Sequence, residues 1–204
     1  WCKGAASLGG CYFGNNPISQ FATAPGTTRY LGEFGEETIT LEGMDYLGGS
    51  ATLLNRGYLG FDLILTDDWS GNWSNVESVF SVVANHATIL ATSFSNIVTR
   101  PQAYPGAYPQ AANPAGTGAT TFSTTDDENP IRLYRIWTPF SLGLPPGATC
   151  CADVVIQFSA SFGPGIILGA ENAPKWGLDN VVVSSSPVPE PPTGALLGLG
   201  LLAL

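Results

Sequence analysis

The sequence predicts an all-β fold, an antiparallel β-sandwich of jelly-roll type, on three observations. Apolar residues recur with period two along several stretches, and the spacing of a helix face does not appear. Turn formers punctuate those stretches: there are 25 Gly and 16 Pro, a mixture that suits short strands joined by many turns. Charged residues make up 11% against 44% hydrophobic, too apolar for a disordered chain and enough to bury a core.

The strands follow in order. Thr38-Ile39-Thr40-Leu41 alternates, as does Phe61-Asp62-Leu63-Ile64-Leu65-Thr66. Ser78 to Val83 and Thr88 to Thr92 read as a hairpin around Ala84-Asn85-His86-Ala87. Ile131 to Trp137 alternates again. Val154, Ile156, Phe158, Ala160 and Phe162 face one way, against Asp153, Val155, Gln157, Ser159 and Ser161. Leu178 to Ser184 closes a set of seven or eight strands, which suggests the sandwich. The insert from Arg100 to Asn129, rich in Pro, Gly, Ala and Thr, reads as a long loop. Residues 1–184 form the sandwich domain, 185–192 a proline-stiffened linker, and 193–204 an apolar segment.

That apolar segment, Thr193 to Leu204, is 12 residues long and falls short of the ~20 needed to span a bilayer. It follows Val188-Pro189-Glu190-Pro191 directly. Box and apolar run together resemble the PEP-CTERM sorting signal of bacterial envelope proteins, which joins a Pro-Glu-Pro box, a membrane helix and a terminal Arg cluster. Here the box is present, the helix is begun and the Arg cluster is absent, so the chain reads as clipped before its basic end. Trp1 stands in place of an initiator Met, and no basic-then-apolar leader is visible, so the front reads as clipped or processed too. The resemblance implies export, an intermediate held in the inner membrane, and cutting near Pro189, Glu190 and Pro191 by an exosortase-type processing enzyme. Delivery would be to the cell surface or extracellular matrix of a Gram-negative-type bacterium.

The net charge of −9, with seven Lys plus Arg, argues against nucleic acid as a partner, because phosphate neutralisation needs clustered cations. An acidic surface low in Lys fits an extracellular protein that binds Ca²⁺. Cys2, Cys11, Cys150 and Cys151 are an even set that an exported protein would oxidise. A Cys150–Cys151 bridge would be strained, because neighbours in an extended segment point to opposite faces. Bridges from the N-terminal pair to the C-terminal pair, or Cys2 to Cys11, remain open. A four-thiolate metal site lacks the usual spacing and any supporting His.

Within the domain, Phe61 to Asn72 resembles a strand-and-loop signature of jelly-roll domains in secreted bacterial proteins. Tyr104-Pro105-Gly106, Pro114 to Ala119 and Lys175 to Val181 continue it in order. Such domains are similar to lectin-like and carbohydrate-binding-module sandwiches, which implies a fold and a broad binding class rather than a substrate.

Three constellations could carry chemistry. If the first and last strands lie side by side, Glu36 or Glu37 would meet Asp179 and offer hard oxygen ligands to a structural Ca²⁺. Asp67 and Asp68 with Asn72 are a second such group, without the spacing of an EF-hand. For sugar binding, Trp69 and Trp73 flank Asn72 in a polar loop, and Tyr104 and Tyr108 sit in the insert; exposed rings stack on pyranose faces and amides fix hydroxyls. The alternative for Trp69 and Trp176 is to cover the edges of the core. For catalysis, His86 is the single histidine, without a Gly-x-Ser-x-Gly elbow, and Asp67, Glu77, Asp126 and Glu128 are the available carboxylates.

The expected function is a non-catalytic module, carbohydrate-binding or structural, in an exported envelope or exopolysaccharide-matrix protein. The alternatives are a glycan-cleaving enzyme on the same scaffold and a purely structural surface protein. Replacing Pro189, Glu190 and Pro191 by alanine is expected to block shortening of the full-length protein in cells carrying the processing enzyme while leaving membrane insertion intact. Immunoblotting of fractionated cells checks this, and processing at the normal rate would overturn the sorting-signal reading.

Overall fold

The computed structural model describes residues 12–13, 21–22, 30–43, 56–110, 112–122, 130–141 and 154–184. The four cysteines, Trp1, Asp126, Glu128, the Pro189-Glu190-Pro191 box and the apolar segment after it lie outside the described residues. Among the described residues eleven strands and no helix occur, and none is part of a helix long and apolar enough to cross a membrane.

The strands are β1 (Tyr12–Phe13), β2 (Phe21–Ala22), β3 (Tyr30–Phe34), β4 (Ile39–Gly43), β5 (Arg56–Thr66), β6 (Ser78–Ala84), β7 (Ala87–Ser93), β8 (Ala119–Phe122), β9 (Ile131–Ser141), β10 (Val154–Phe162) and β11 (Lys175–Ser184). They form two antiparallel sheets, ordered β1-β4-β10-β6-β7 and β2-β3-β11-β5-β9-β8. One core fills the space between them. Phe80, Val82 and Ala84 of β6 and Ile156, Phe158 and Ala160 of β10 come from one side. Leu59, Phe61, Leu63 and Leu65 of β5, Tyr134, Ile136 and Phe140 of β9, and Trp176 and Leu178 of β11 come from the other. Each such fully buried apolar side chain contributes roughly 1.5–3 kcal/mol. The alternation in β6 and β10 is the one visible in the sequence.

The hairpin of β6 and β7 turns through Asn85 and His86, with φ of 47° and 68°, the left-handed pair that a two-residue hairpin turn requires. His86 is therefore an exposed turn residue. Other elements depart from the expectation. β3 and β8 are strands that the alternation does not reveal, β8 within the insert expected to be loop. β5 begins at Arg56, five residues before its visible alternation, because Gly57 and Gly60 interrupt the apolar pattern. A Cβ at Gly57 would collide with the Phe140 ring, and one at Gly60 with the Trp137 ring, so each glycine makes room for an aromatic of β9. β5 is also buried on both faces. Ile64 points away from the main core and joins Tyr30 in a smaller cluster, with Ile131 and Leu133 packed against it.

The register defines two ends of the sandwich. Thr66 of β5 lies opposite Lys175, Ser78 of β6 opposite Phe162, and Val79 opposite Ser93. The connections 67–77, 94–118 and 163–174 start from that end. At the other end, Ser184, the last residue of β11, lies opposite Tyr58, and Ser141 opposite Arg56.

Tyr134 sits in the main core with its ring centroid 4.4 Å from that of Phe94, and burial pushes its phenol up to about 12 against a partial offset from Arg132. Burial also raises Tyr104, and burial followed by the charge of Glu33 raises Tyr30. The same groups ionise near 10 in the unfolded chain. Above that pH the unfolded state binds fewer protons than the folded state, so stability is full below pH 10 and is lost as pH rises toward 12. Urea unfolding midpoints are expected to fall across that window, and Tyr134→Phe is expected to flatten the fall. An unchanged pH slope in the variant would remove Tyr134 from the account.

Candidate functional site

Three connections meet at one end of the sandwich, and the first is tied down at nearly every residue. Trp69 is fully buried, its ring edge-on to Phe94 at 6.4 Å and to Phe162 at 5.4 Å, and its indole N–H donates to the Lys175 carbonyl at 2.8 Å. The large apolar ring plugs this end of the core and its one polar atom is satisfied. Ser70 N–H donates to Ser78 Oγ at 3.0 Å, Gly71 N–H to the Phe94 carbonyl at 2.8 Å, and Asn72 N–H to the Pro101 carbonyl at 2.8 Å. Gly71 has φ of 61°, and any Cβ there would strike the Pro101 carbonyl oxygen, so only glycine fits this approach.

The second connection, the predicted loop, is organised around Gln102. Its buried Oε1 accepts from Ser95 N–H at 3.2 Å, Gly116 N–H at 3.0 Å and the Tyr134 hydroxyl at 3.1 Å. Its Nε2 donates to the carbonyls of Tyr104 at 3.1 Å and Thr117 at 3.0 Å. Its backbone exchanges hydrogen bonds with Asn113 at 2.9 and 2.8 Å. Tyr104 N–H and Tyr108 N–H then donate to the Ser93 and Ala91 carbonyls, and Thr92 Oγ1 to the Gly106 carbonyl. The insert thus runs along the edge of β7 and covers the backbone groups an edge strand leaves open. The buried Arg132 guanidinium donates to the Ser95 carbonyl, with Gly116 packed over it.

On this framework stands Trp73, 51% exposed, with Val98 exposed on the neighbouring connection. Arg100 lies over the Trp73 ring with its guanidinium carbon 5.5 Å from the centroid, and its Nη1 donates to Ser70 Oγ at 2.6 Å. The cation holds one side of the indole, as cation–π geometry favours. Beneath it Asn72 Oδ1 accepts from the Ser93 hydroxyl, which in turn accepts from Ala103 N–H at 2.8 Å. The result is an aromatic surface and a cation held on a rigid base, suited to stacking on a ring that carries hydrogen-bond acceptors.

The residues singled out for sugar binding therefore separate. Trp73 is at the surface. Trp69 is not, and with no exposed ring face it cannot stack on a sugar; the size of its apolar surface and the gap at the end of the core account for the correction. Tyr104 packs on Phe94 at 5.0 Å and Tyr134 at 5.4 Å, which makes it core-facing. Asn72 faces inward to Ser93, and Tyr108 lies half-buried along β7. Arg100 and Gln102 were missed. An isolated Arg-Pro-Gln step opening a Pro- and Gly-rich insert is the signal that marks them.

The expected calcium constellation does not assemble. β3 does lie beside β11, but β4, the strand that Glu36 and Glu37 precede, pairs with β1 and β10 in the other sheet. Leu178 lies opposite Leu31 and Asp179 opposite Asp62, whereas Glu36 and Glu37 lie beyond the Phe34 end of β3. Several residues at ~3.3 Å each separate them. Glu37 Oε2 accepts from Gly35 N–H at 2.5 Å and Asp179 Oδ1 from Asn180 N–H at 2.8 Å. In the second group Asp67 Oδ2 accepts from Thr66 Oγ1 and lies 3.7 Å from Lys175 Nζ, while Asn72 turns to Ser93. Among the described residues no three His, Cys, Asp or Glu side chains converge as a metal site would need. Comparison with protein families, with curated proteins and with solved structures found no match.

Gln102→Ala removes all five side-chain hydrogen bonds and leaves buried partners unsatisfied, so it is expected to cost roughly 3–5 kcal/mol in urea unfolding. Trp73→Ala, at an exposed position, is expected to change stability by no more than ~0.5 kcal/mol. Equal effects of the two would contradict the division between framework and surface.

Proposed function

We propose that this chain is an exported envelope or matrix protein, sorted by its C-terminal tail, whose sandwich holds a glycan without cleaving it. The observation that carries the reading is the Trp73–Arg100 pair, an exposed indole backed by a guanidinium on a hydrogen-bonded base. A ring held this way loses little side-chain entropy when a sugar stacks on it, so more of the contact energy appears as affinity. A neutral glycan suits the net charge of −9 better than a polyanion.

Two features of the fold support the reading. β11 starts among the connections that carry Trp73 and ends at the opposite end of the sandwich, from which the chain continues toward the Pro189-Glu190-Pro191 box. A tail-tethered domain would so present Trp73 away from its anchor. Leaving aside the flanking strands β1, β2 and β8, the orders β3-β11-β5-β9 and β4-β10-β6-β7 interleave the chain between sheets in the manner of a jelly roll.

The test is affinity electrophoresis of the full chain through gels containing hydroxyethylcellulose, a neutral galactomannan, or alginate as the polyanion. Retardation by a neutral polymer is expected, with about tenfold weaker binding for Trp73→Ala, equivalent to ~1.4 kcal/mol. Absence of retardation by all three polymers, or full binding by Trp73→Ala, would overturn this assignment.

A further inference from the structure

The outer face of the sheet formed by β11, β5 and β9 carries a second aromatic surface, remote from the Trp73 connections. Trp137 of β9, Gly60 of β5 and Val182 of β11 form one row across the three strands. Trp137 and Val182 are each 43% exposed. The Trp137 ring lies over Gly60, where any Cβ would collide with it, so the indole covers the centre of the row. Strand spacing of ~4.8 Å puts Val182 ~10 Å from Trp137.

The neighbouring row on the same face is polar and is built around Asp62. Its carboxylate accepts from Arg135 Nε at 3.0 Å, Arg135 Nη2 at 3.4 Å and Asn180 Nδ2 at 2.8 Å. The Asp62 side chain is 4% exposed, whereas that of Arg135 is 63% exposed. The guanidinium therefore covers the carboxylate and presents outward the N–H groups it does not use, three of its five. Asn180 reaches Asp62 because the register of β11 shifts between Asp179 and Val182, with Asn180 at φ of 49°. The shift leaves Val181 packed against the main core on the opposite face of the sheet while turning Asn180 to the outer face. A bulge that re-aims a side chain and a left-handed non-glycine residue within a strand are features that gather at functional surfaces.

We infer that this face is a second glycan-binding surface, in which a pyranose stacks on Trp137 and an oxygen of the same or the next sugar accepts from Arg135. The arrangement has the two parts sugar recognition needs: an apolar step for the C–H face of the ring, and fixed donors one row away, ~6.7 Å along the strands, for its oxygens. Asp62 and Asn180 act as positioning residues that hold the guanidinium plane, so it is ordered before the ligand arrives. The oxygen acceptor could belong to a hydroxyl or to a uronate carboxylate, and the two sources are separable by experiment.

The experiment uses the full chain in the Trp73→Ala background, which removes the first surface, with hydroxyethylcellulose as the neutral arm and alginate as the uronate arm. Retained binding to either polymer is expected, weakened about tenfold by adding Trp137→Ala and partly restored by Trp137→Phe in its place. Arg135→Gln is expected to weaken the alginate arm more than the neutral arm if a carboxylate is the acceptor, and both alike if a hydroxyl is. Urea midpoints of each variant separate loss of binding from loss of fold. Absence of binding to both polymers in the Trp73→Ala background overturns this inference and leaves the Trp73 surface standing. Binding that is not weakened by adding Trp137→Ala in a folded protein also overturns it. Binding that is unaffected by Trp73→Ala but lost with Trp137→Ala overturns the Trp73 assignment and supports this one.

Discussion

The buried amide of Gln102 is the interaction on which the ordered end of this molecule depends. It joins a backbone N–H after β7, a backbone N–H in the distal part of the insert, a hydroxyl from β9, and two carbonyls of its own connection. The bonded groups lie between 2 and 32 residues from Gln102 in sequence, and the one amide fixes them relative to one another. In a low-dielectric interior each bond is strong when made and costly when missing, so the network is satisfied as a unit or not at all. That cooperativity turns a stretch with the composition of a flexible linker into a rigid layer. Trp73 and Arg100 inherit their positions from it, through Pro101 and Ser70.

The two sheets divide their work unequally. The faces that meet bury most of the large apolar side chains and account for cohesion. The outer face of the β5 sheet is not a plain solvated surface. It holds a small apolar cluster at Tyr30 and Ile64, a carboxylate covered by a guanidinium, and an indole resting on a glycine. Asp62 tolerates burial because three donors converge on it and its cationic partner remains in contact with water, which keeps the desolvation cost on one side of the pair only. Glycine is the common device: at positions 57, 60 and 71 a missing side chain lets a ring or a carbonyl approach the backbone directly.

On the proposed reading, both aromatic surfaces share a design. In each, a tryptophan stands at the surface with an arginine beside it, and the arginine is held by a polar group that is itself buried: Ser70 beneath Arg100, Asp62 beneath Arg135. Preorganised donors beside a flat ring suit a ligand that alternates C–H faces with oxygen atoms. Two such surfaces, one at an end and one on a face, would allow a single domain to engage two chains of a matrix or two stretches of one chain, and linked contacts gain through effective concentration.

Much of the fold was legible in the sequence. Period-two alternation in β6, β10 and the second half of β5, and the Asn-His turn between β6 and β7, follow from local rules that hold wherever one face of a strand is buried. Elements that depend on partners were not legible. β3 and β8 are too short or too rich in Gly and Thr to declare themselves, and become strands because β11 and β9 offer them open edges. The candidate site divides along the same line. That Trp73 lies in a polar loop is a sequence property, and so is the composition that makes a large aromatic there hard to bury. That Trp69, four residues earlier in the same loop, plugs the core was decided by Phe94, Phe162 and Lys175, which only the tertiary structure brings to it. Likewise the separation of Glu36 and Glu37 from Asp179 was decided by the crossing of the chain between sheets at residues 35–38. Local patterning determines which residues can be strands and which faces are apolar. Which polar groups meet depends on register and sheet order, set by long-range packing that no single stretch of sequence carries.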